Sequence, residues 1–191
     1  MLERFDQQLL LFLNSLNSPF WDQVMYIISG RVIWIPLYLA ILIALAYRYK
    51  RKFLVILLMI IIAITLSDQI SVMFKNGFHR LRPCHEPSLE GMVHLVKGRC
   101  GGSYGFVSSH ATNAFTVAVF SLLLIRRKWF TYIMIIWALV VGYSRIYLGV
   151  HYPGDVLCGS LLGVLIGWGV FKLFELTERK LLPKWQYLNG V

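Results

Sequence analysis

Phe53-Leu-Val-Ile-Leu-Leu-Met-Ile-Ile-Ile-Ala-Ile-Thr-Leu-Ser67 carries no charged residue. Extended to Phe74, it reaches the ~20 residues that a helix needs to cross the hydrocarbon of a bilayer. Working outward, four further apolar stretches of similar length appear: from Trp21 or Ile33 to Tyr47, from Ser109 to Ile125, from Trp129 to Val150 and from Pro153 to Leu176. Trp21, Trp34, Trp129 and Tyr132 suit anchoring at the membrane–water boundary. The chain has 191 residues, 58% hydrophobic and 15% charged, against about 25% charged in a soluble domain. The expected fold is therefore all-α: a polytopic transmembrane bundle of five to six helices, one domain over residues 1–191. The sixth span would have to come from the first thirty residues, which are poorly apolar.

The start of the chain lacks the basic opening and small-residue cleavage site of a signal peptide. Leu2, Phe5, Leu9 and Phe12 or Leu13 recur at helical spacing, which predicts an amphipathic helix lying at the interface or packed on the bundle. The net charge is +10. Basic excess also marks nucleic-acid binders, but here the cations are scattered between apolar spans, so no nucleic-acid partner is expected. The partner that these features imply is the bilayer.

Alternating spans decide which ends meet. Arg48, Lys50, Arg51, Lys52, Arg126, Arg127, Lys128, Lys172, Arg179, Lys180 and Lys184 collect on one face and make up the majority of the 19 basic residues. Cytoplasmic loops are enriched in Lys and Arg, so this face is assigned to the cytoplasm of a bacterial-type inner membrane. Three polar clusters fall on the opposite, extracytoplasmic or periplasmic face: Lys75 to Arg82-Pro83, Ser108-Ser109-His110, and Ser144-Arg145 to His151 and Asp155. Ionisable groups at membrane depth are costly and mark function.

The residue types in these clusters suit phosphoryl transfer, which needs cations on the equatorial oxygens, an in-line nucleophile and an acid for the leaving group. Lys75, Arg82 and Arg145 are the cations, and arginine can grip phosphate with two parallel hydrogen bonds. Ser108 and Ser109 open a helix whose first amides lack intrahelical acceptors and favour an anion. His151 has Asp155 four residues on. A carboxylate on one ring nitrogen fixes the tautomer and leaves the other nitrogen as an attacking lone pair. His110 can protonate the departing oxygen.

The three motifs, Lys75-x6-Arg82-Pro83, Ser108-Ser109-His110 and Ser144-Arg145-x5-His151-x3-Asp155, resemble those of the type 2 phosphatidic acid phosphatase family, related to the vanadium haloperoxidases. The resemblance implies hydrolysis through a phosphohistidine without metal or other cofactor. It casts His151 as nucleophile, Asp155 as its orienting partner and His110 as general acid. Lys75, Arg82, Ser108, the Ser109 amide and Arg145 become the phosphate cradle, and the loop 75–107 becomes part of the site. The family usually reads Pro-Ser-Gly-His where this chain has Val107-Ser108-Ser109-His110, so a Cβ at Ser109 narrows the backbone there.

Within the family, a lipid A phosphate and undecaprenyl pyrophosphate are the favoured substrates, with phosphatidylglycerophosphate and phosphatidic acid also possible. A lipid-phosphate binder or transporter that cleaves nothing is the alternative; it has no need of a nucleophilic pair. His79, His85 and His94 form no metal-ligand pattern and are expected to be structural. Arg80 is expected to face headgroups, Asp68 and Gln69 to pack as a polar pair, and Cys158 to fill space in the last helix. The glycines 98, 101, 102 and 105 suggest a mobile lid or a linker. Cys84 and Cys100 share the loop and can pair if it faces an oxidising compartment. Closing a loop of roughly 17 residues would contribute about 3 kcal/mol.

Overall fold

The computed structural model describes the backbone of residues 2–188 and the side chains of residues 3–179. The sequence expectations for Leu2, Lys180 and Lys184 concern side chains outside that range. Seven α-helices follow in order: α1 (Leu2–Ser15), α2 (Pro19–Ile28), α3 (Ile35–Tyr49), α4 (Phe53–Phe78), α5 (Ser109–Ile125), α6 (Lys128–Tyr147) and α7 (Pro153–Leu188). Val32–Phe78, Lys128–Tyr147 and Pro153–Arg179 are long and apolar enough to cross a membrane, and Ser109–Ile125 is a shorter apolar helix. The stretch Val32–Phe78 holds two crossings, because it turns back at Lys50, which has a positive φ of 47°.

Five helices therefore cross, α3 to α7. The sixth crossing left open in the sequence does not form. α2 has ten residues, about 15 Å at 1.5 Å per residue, half the hydrocarbon thickness. Ser18 caps it and Pro19 begins it, which stops any merger with α1.

The crossings alternate as expected. At one end Tyr49 donates to the Leu124 carbonyl (2.8 Å), and Lys52 pairs with Glu178. At the other, Ser71 and Ser109 share a hydrogen bond (2.7 Å), and Ser108 N–H donates to the Asp155 carbonyl (3.0 Å). The tips of α4, α5, α6 and α7 thus gather on one face.

α5 is the central helix. Ala111, Ala114, Ala118, Phe120 and Leu124 are buried along it, as are Thr112 and Thr116. Its closest partner is α7, and the reason is a glycine at every fourth position of that helix. A Cβ on Gly159 would stand 2.7 Å from the Ser108 carbonyl oxygen, and one on Gly167 would stand 2.8 Å from that of Thr116. Gly163 presses closest, against the Thr112 carbonyl and 2.9 Å from Phe115 Cβ. Membrane helices lack a hydrophobic drive to associate and rely on such close approach. Thr116 adds a hydrogen bond to the Gly163 carbonyl (3.2 Å).

α1 packs on the site-bearing face with Leu10 and Asn14 inward. Asn14 donates to the carbonyls of Tyr147 (2.7 Å) and His94 (3.0 Å). Phe5 and Phe12 point outward and are exposed, which suits an interfacial helix. α1 is thus packed on the bundle by one face and leaves an apolar face exposed.

Candidate active site

His151 sits just before α7, 1% exposed, and Asp155 lies in the first turn, fully buried. Pro153 begins that helix, where a missing N–H is harmless. His151 Nδ1 faces Asp155 Oδ2 at 3.4 Å, and His151 Nε2 faces Arg82 Nη1 at 3.4 Å. A guanidinium can only donate. The lone pair is therefore on Nε2, and the proton is on Nδ1, toward the carboxylate. Burial, followed by the charges of Arg82, Arg145 and Lys75, holds the His151 pKa well below the ordinary imidazole value. The ring is neutral at pH 7, with its free nitrogen aimed at the cations.

The cations come from three elements. Lys75, in the last turn of α4, donates to the Ser109 hydroxyl. Arg82, in the loop after α4, donates to the carbonyls of Tyr104 (3.2 Å), Cys100 (3.3 Å) and Val150 (3.4 Å). Arg145, in the last turn of α6, donates to the Ser29 hydroxyl, and its buried Nε has no partner. Among the described residues none of the three has a carboxylate within salt-bridge distance. His110 stands on the first turn of α5. Ser108 caps α5, its hydroxyl accepting from Ala111 N–H (3.5 Å) while its own N–H is committed to Asp155. Its hydroxyl hydrogen is what remains for a ligand. An apolar cavity of about 360 Å³ begins at Ser29, Arg31 and His110 and runs between the helices to Leu45, Phe120 and Trp137.

Within the loop from 79 to 108 the two arms are held to each other by backbone hydrogen bonds and a disulfide. Arg82 N–H donates to the Ser103 carbonyl (3.0 Å), and Gly105 N–H to that of Arg80 (2.8 Å). Leu81 pairs with Tyr104 in an antiparallel bridge. Cys84 and Cys100 close the next rung as a disulfide, with Cα atoms 6.1 Å apart. Gly105 is needed at its position, because a Cβ there would stand 3.0 Å from Asp155 Oδ2 and 3.5 Å from His151 Nδ1. Replacing both cysteines by serine is expected to lower the thermal midpoint by about 10 °C. It should also lower kcat/KM about tenfold, because Cys100 carries a carbonyl that holds Arg82; a tenfold loss is ~1.4 kcal/mol. A variant with unchanged melting and kinetics would show that the bridge plays no part in holding the loop.

The structure places the site residues read from the sequence at the gathered ends of α4, α5, α6 and α7 or in the adjoining loops, and adds others. Arg80 does not face headgroups. It bridges Asp155 Oδ1 and Asp6 Oδ2, at 2.7 Å each. Ser71 and Ser29 support Ser109 and Arg145. Arg80 could have been suspected from its place inside the first motif; nothing in the spacing pointed to Asp6. Gln69 is exposed rather than packed. His94 pairs with Asp22 (2.9 Å) and His79 stacks edge-on to Tyr104, both structural arrangements.

Known proteins resemble this chain over most of its length. The profile of the PAP2 superfamily matches residues 53–179. A lipid A 4'-phosphatase of Bacteroides thetaiotaomicron is 40% identical over 188 residues, covering 97% of this chain and 82% of the relative. A lipid A 4'-phosphatase of Porphyromonas gingivalis is 36% identical, with 88% and 72% covered. The crystal structure of Aquifex aeolicus LpxE superposes with a TM-score of 0.68 at 28% identity, covering 86% of this chain and 93% of that one. Likeness of this extent makes the chain a membrane-spanning phosphatase of the PAP2 superfamily.

Proposed function

We propose that this enzyme removes a phosphate from a lipid of the lipid A class, using His151 as nucleophile. The carrying observation is the convergence of Lys75, Arg82 and Arg145, none with a carboxylate partner among the described residues, around a neutral imidazole whose free nitrogen faces them. Such a cluster calls for a polyanion, and phosphate fits it. The apolar cavity adjoining His110 suits a substrate with acyl tails. Two relatives that are alike over 97% and 88% of this chain are both named for lipid A, which favours that class over undecaprenyl pyrophosphate.

The chemistry runs in two in-line displacements. His151 Nε2 attacks phosphorus while the lipid oxygen leaves and takes a proton from His110. Lys75, Arg82, Arg145 and the Ser109 N–H hold the equatorial oxygens. Water, giving its proton to His110, then attacks phosphorus and breaks the N–P bond. Asp155 holds Nδ1–H throughout and offsets the positive charge of the phosphorylated ring. No step uses a metal. Asp155, the carboxylate at the centre among the described residues, is taken by Arg80 and His151, so the donor set is built for an anion.

The site lies on the extracytoplasmic side of the inner membrane in this reading. Lys52, Arg126 and Lys172 sit at the opposite end of the bundle, as positive-inside bias requires. The disulfide beside the site suits an oxidising compartment.

Phosphate release from purified protein in detergent, with EDTA present, tests the proposal across lipid A, undecaprenyl pyrophosphate, phosphatidylglycerophosphate and phosphatidic acid. The highest kcat/KM is expected on lipid A, undiminished by the chelator. Tight binding without release from any of them would make the protein a lipid-phosphate binder. A preference for the isoprenoid would overturn the lipid class alone.

A further inference from the structure

Asp6 stands far from the motifs, on the second turn of an amphipathic helix, where a lone carboxylate is normally solvated. Here its side chain is only 15% exposed. Both oxygens are engaged. Oδ2 pairs with Arg80 Nη2 at 2.7 Å, and Oδ1 accepts from Gly154 N–H at 2.8 Å, beside the start of α7. Arg80 lies over the Tyr152 ring, 4.1 Å from its centre, and gives its other Nη to Asp155 Oδ1 at 2.7 Å. Asp155 Oδ2 is thereby left for Tyr152 N–H (3.1 Å) and His151 Nδ1 (3.4 Å).

The order Asp6–Arg80–Asp155 alternates in charge and ends on the neutral His151 ring, joining four separate segments: α1, the loop after α4, α7 and the residues before it. Asp155 alone could rotate about its last bond and offer His151 either oxygen or neither. Arg80 removes that freedom by holding Oδ1. Arg80 can do so only if its own fork is fixed, and Asp6 fixes it. Asp6 also adds the second negative charge of the trio, which favours the positive phosphorylated ring.

Resting on the reading of His151 as nucleophile, we propose that Asp6 is a positioning residue for catalysis. Acting through Arg80, it sets the Asp155 carboxylate and so the direction of the attacking nitrogen. The N-terminal helix is then part of the catalytic device as well as a membrane-facing element.

The test uses the full-length protein in detergent with a lipid phosphate that the wild type hydrolyses. Asp6→Asn keeps the shape and can still accept from Gly154, but loses the ion pair. Its kcat is expected to fall about 10- to 100-fold, the scale of a small misalignment at the reacting atom, with KM unchanged. Asp6→Glu should recover part of the loss. Asp6→Asn combined with Arg80→Ala should be no slower than Arg80→Ala alone, because the two act as one chain. Asn14→Ala is the control: it removes other hydrogen bonds that dock α1 but touches none of the four residues. It should lower the melting temperature and leave kcat in place.

Wild-type kcat in Asp6→Asn would overturn the proposal. So would an equal kcat loss in Asn14→Ala, or additive losses in the double variant. Full activity in His151→Ala would overturn the nucleophile assignment and the role of Asp6 with it. An inactive His151→Ala beside an unaffected Asp6→Asn would overturn the role of Asp6 alone.

Discussion

His151→Ala lowers kcat by about 10⁴-fold or more, the scale on which enzymes lose a nucleophile that works as one unit with its partners. The reason is chemical rather than structural. Alanine leaves Arg82 held by three loop carbonyls and Arg145 by Ser29, so phosphate still binds. What is lost is the only neutral lone pair directed at it. KM therefore changes little while turnover collapses. His110→Ala removes proton transfer to the leaving oxygen and should cost about 10²- to 10⁴-fold, less for a lipid phosphate with a more acidic leaving group. Phosphate-release kinetics on the two variants check this. Turnover in His151→Ala within tenfold of wild type would mean that water, or a different residue, attacks phosphorus directly.

Gly163→Leu is expected to cost at least about 3 kcal/mol and to leave little folded protein. The backbones of α5 and α7 touch at this point, with the Thr112 carbonyl, Phe115 Cβ and Thr116 N around the glycine. A leucine has no space there, and backbone atoms cannot move aside as a flexible side chain can. The helices would have to separate. The same two helices carry the site: Ser109 and His110 begin α5, and Asp155 begins α7. The clamp from Ser108 N–H to the Asp155 carbonyl, at 3.0 Å, would break with them. Any Gly163→Leu protein that is recovered should be inactive as well as unstable. Gly169→Leu, at a glycine with nothing within 4 Å, serves as the comparison. Equal melting temperatures for the two variants would show that close approach at Gly163 does not hold the bundle together.

Much of this architecture is legible in the sequence because membranes impose few rules. Apolar runs such as Phe53–Phe74 must cross, alternation then fixes which ends meet, and the spacing from Lys75 to Asp155 carries the site. The remainder depends on contacts that no short-range pattern encodes. Asp6 reads as one acid on an amphipathic helix, since its partner Arg80 lies 74 positions away. Arg80 reads as a headgroup anchor because a basic residue near a helix end normally is one. The glycines 159, 163 and 167 are visible as a spacing, but which helix they press against is settled only by packing. The pairing of residues 103 to 105 with residues 80 to 82, and the Cys84–Cys100 bridge, join stretches about twenty positions apart in the loop that carries glycines 98 to 105. Whether those cysteines pair turned on the compartment and on their separation in space, and neither is written in their positions.

The central claim is that phosphate passes through His151. The direct measurement is a rapid quench into alkali, where an N–P bond survives, after mixing enzyme with a lipid substrate carrying radiolabelled phosphate, followed by peptide mapping. Label on the peptide containing His151, forming at least as fast as turnover and absent from His151→Ala, is the predicted result. An enzyme that turns over with no labelled protein, or with label on Ser109 instead, would contradict it.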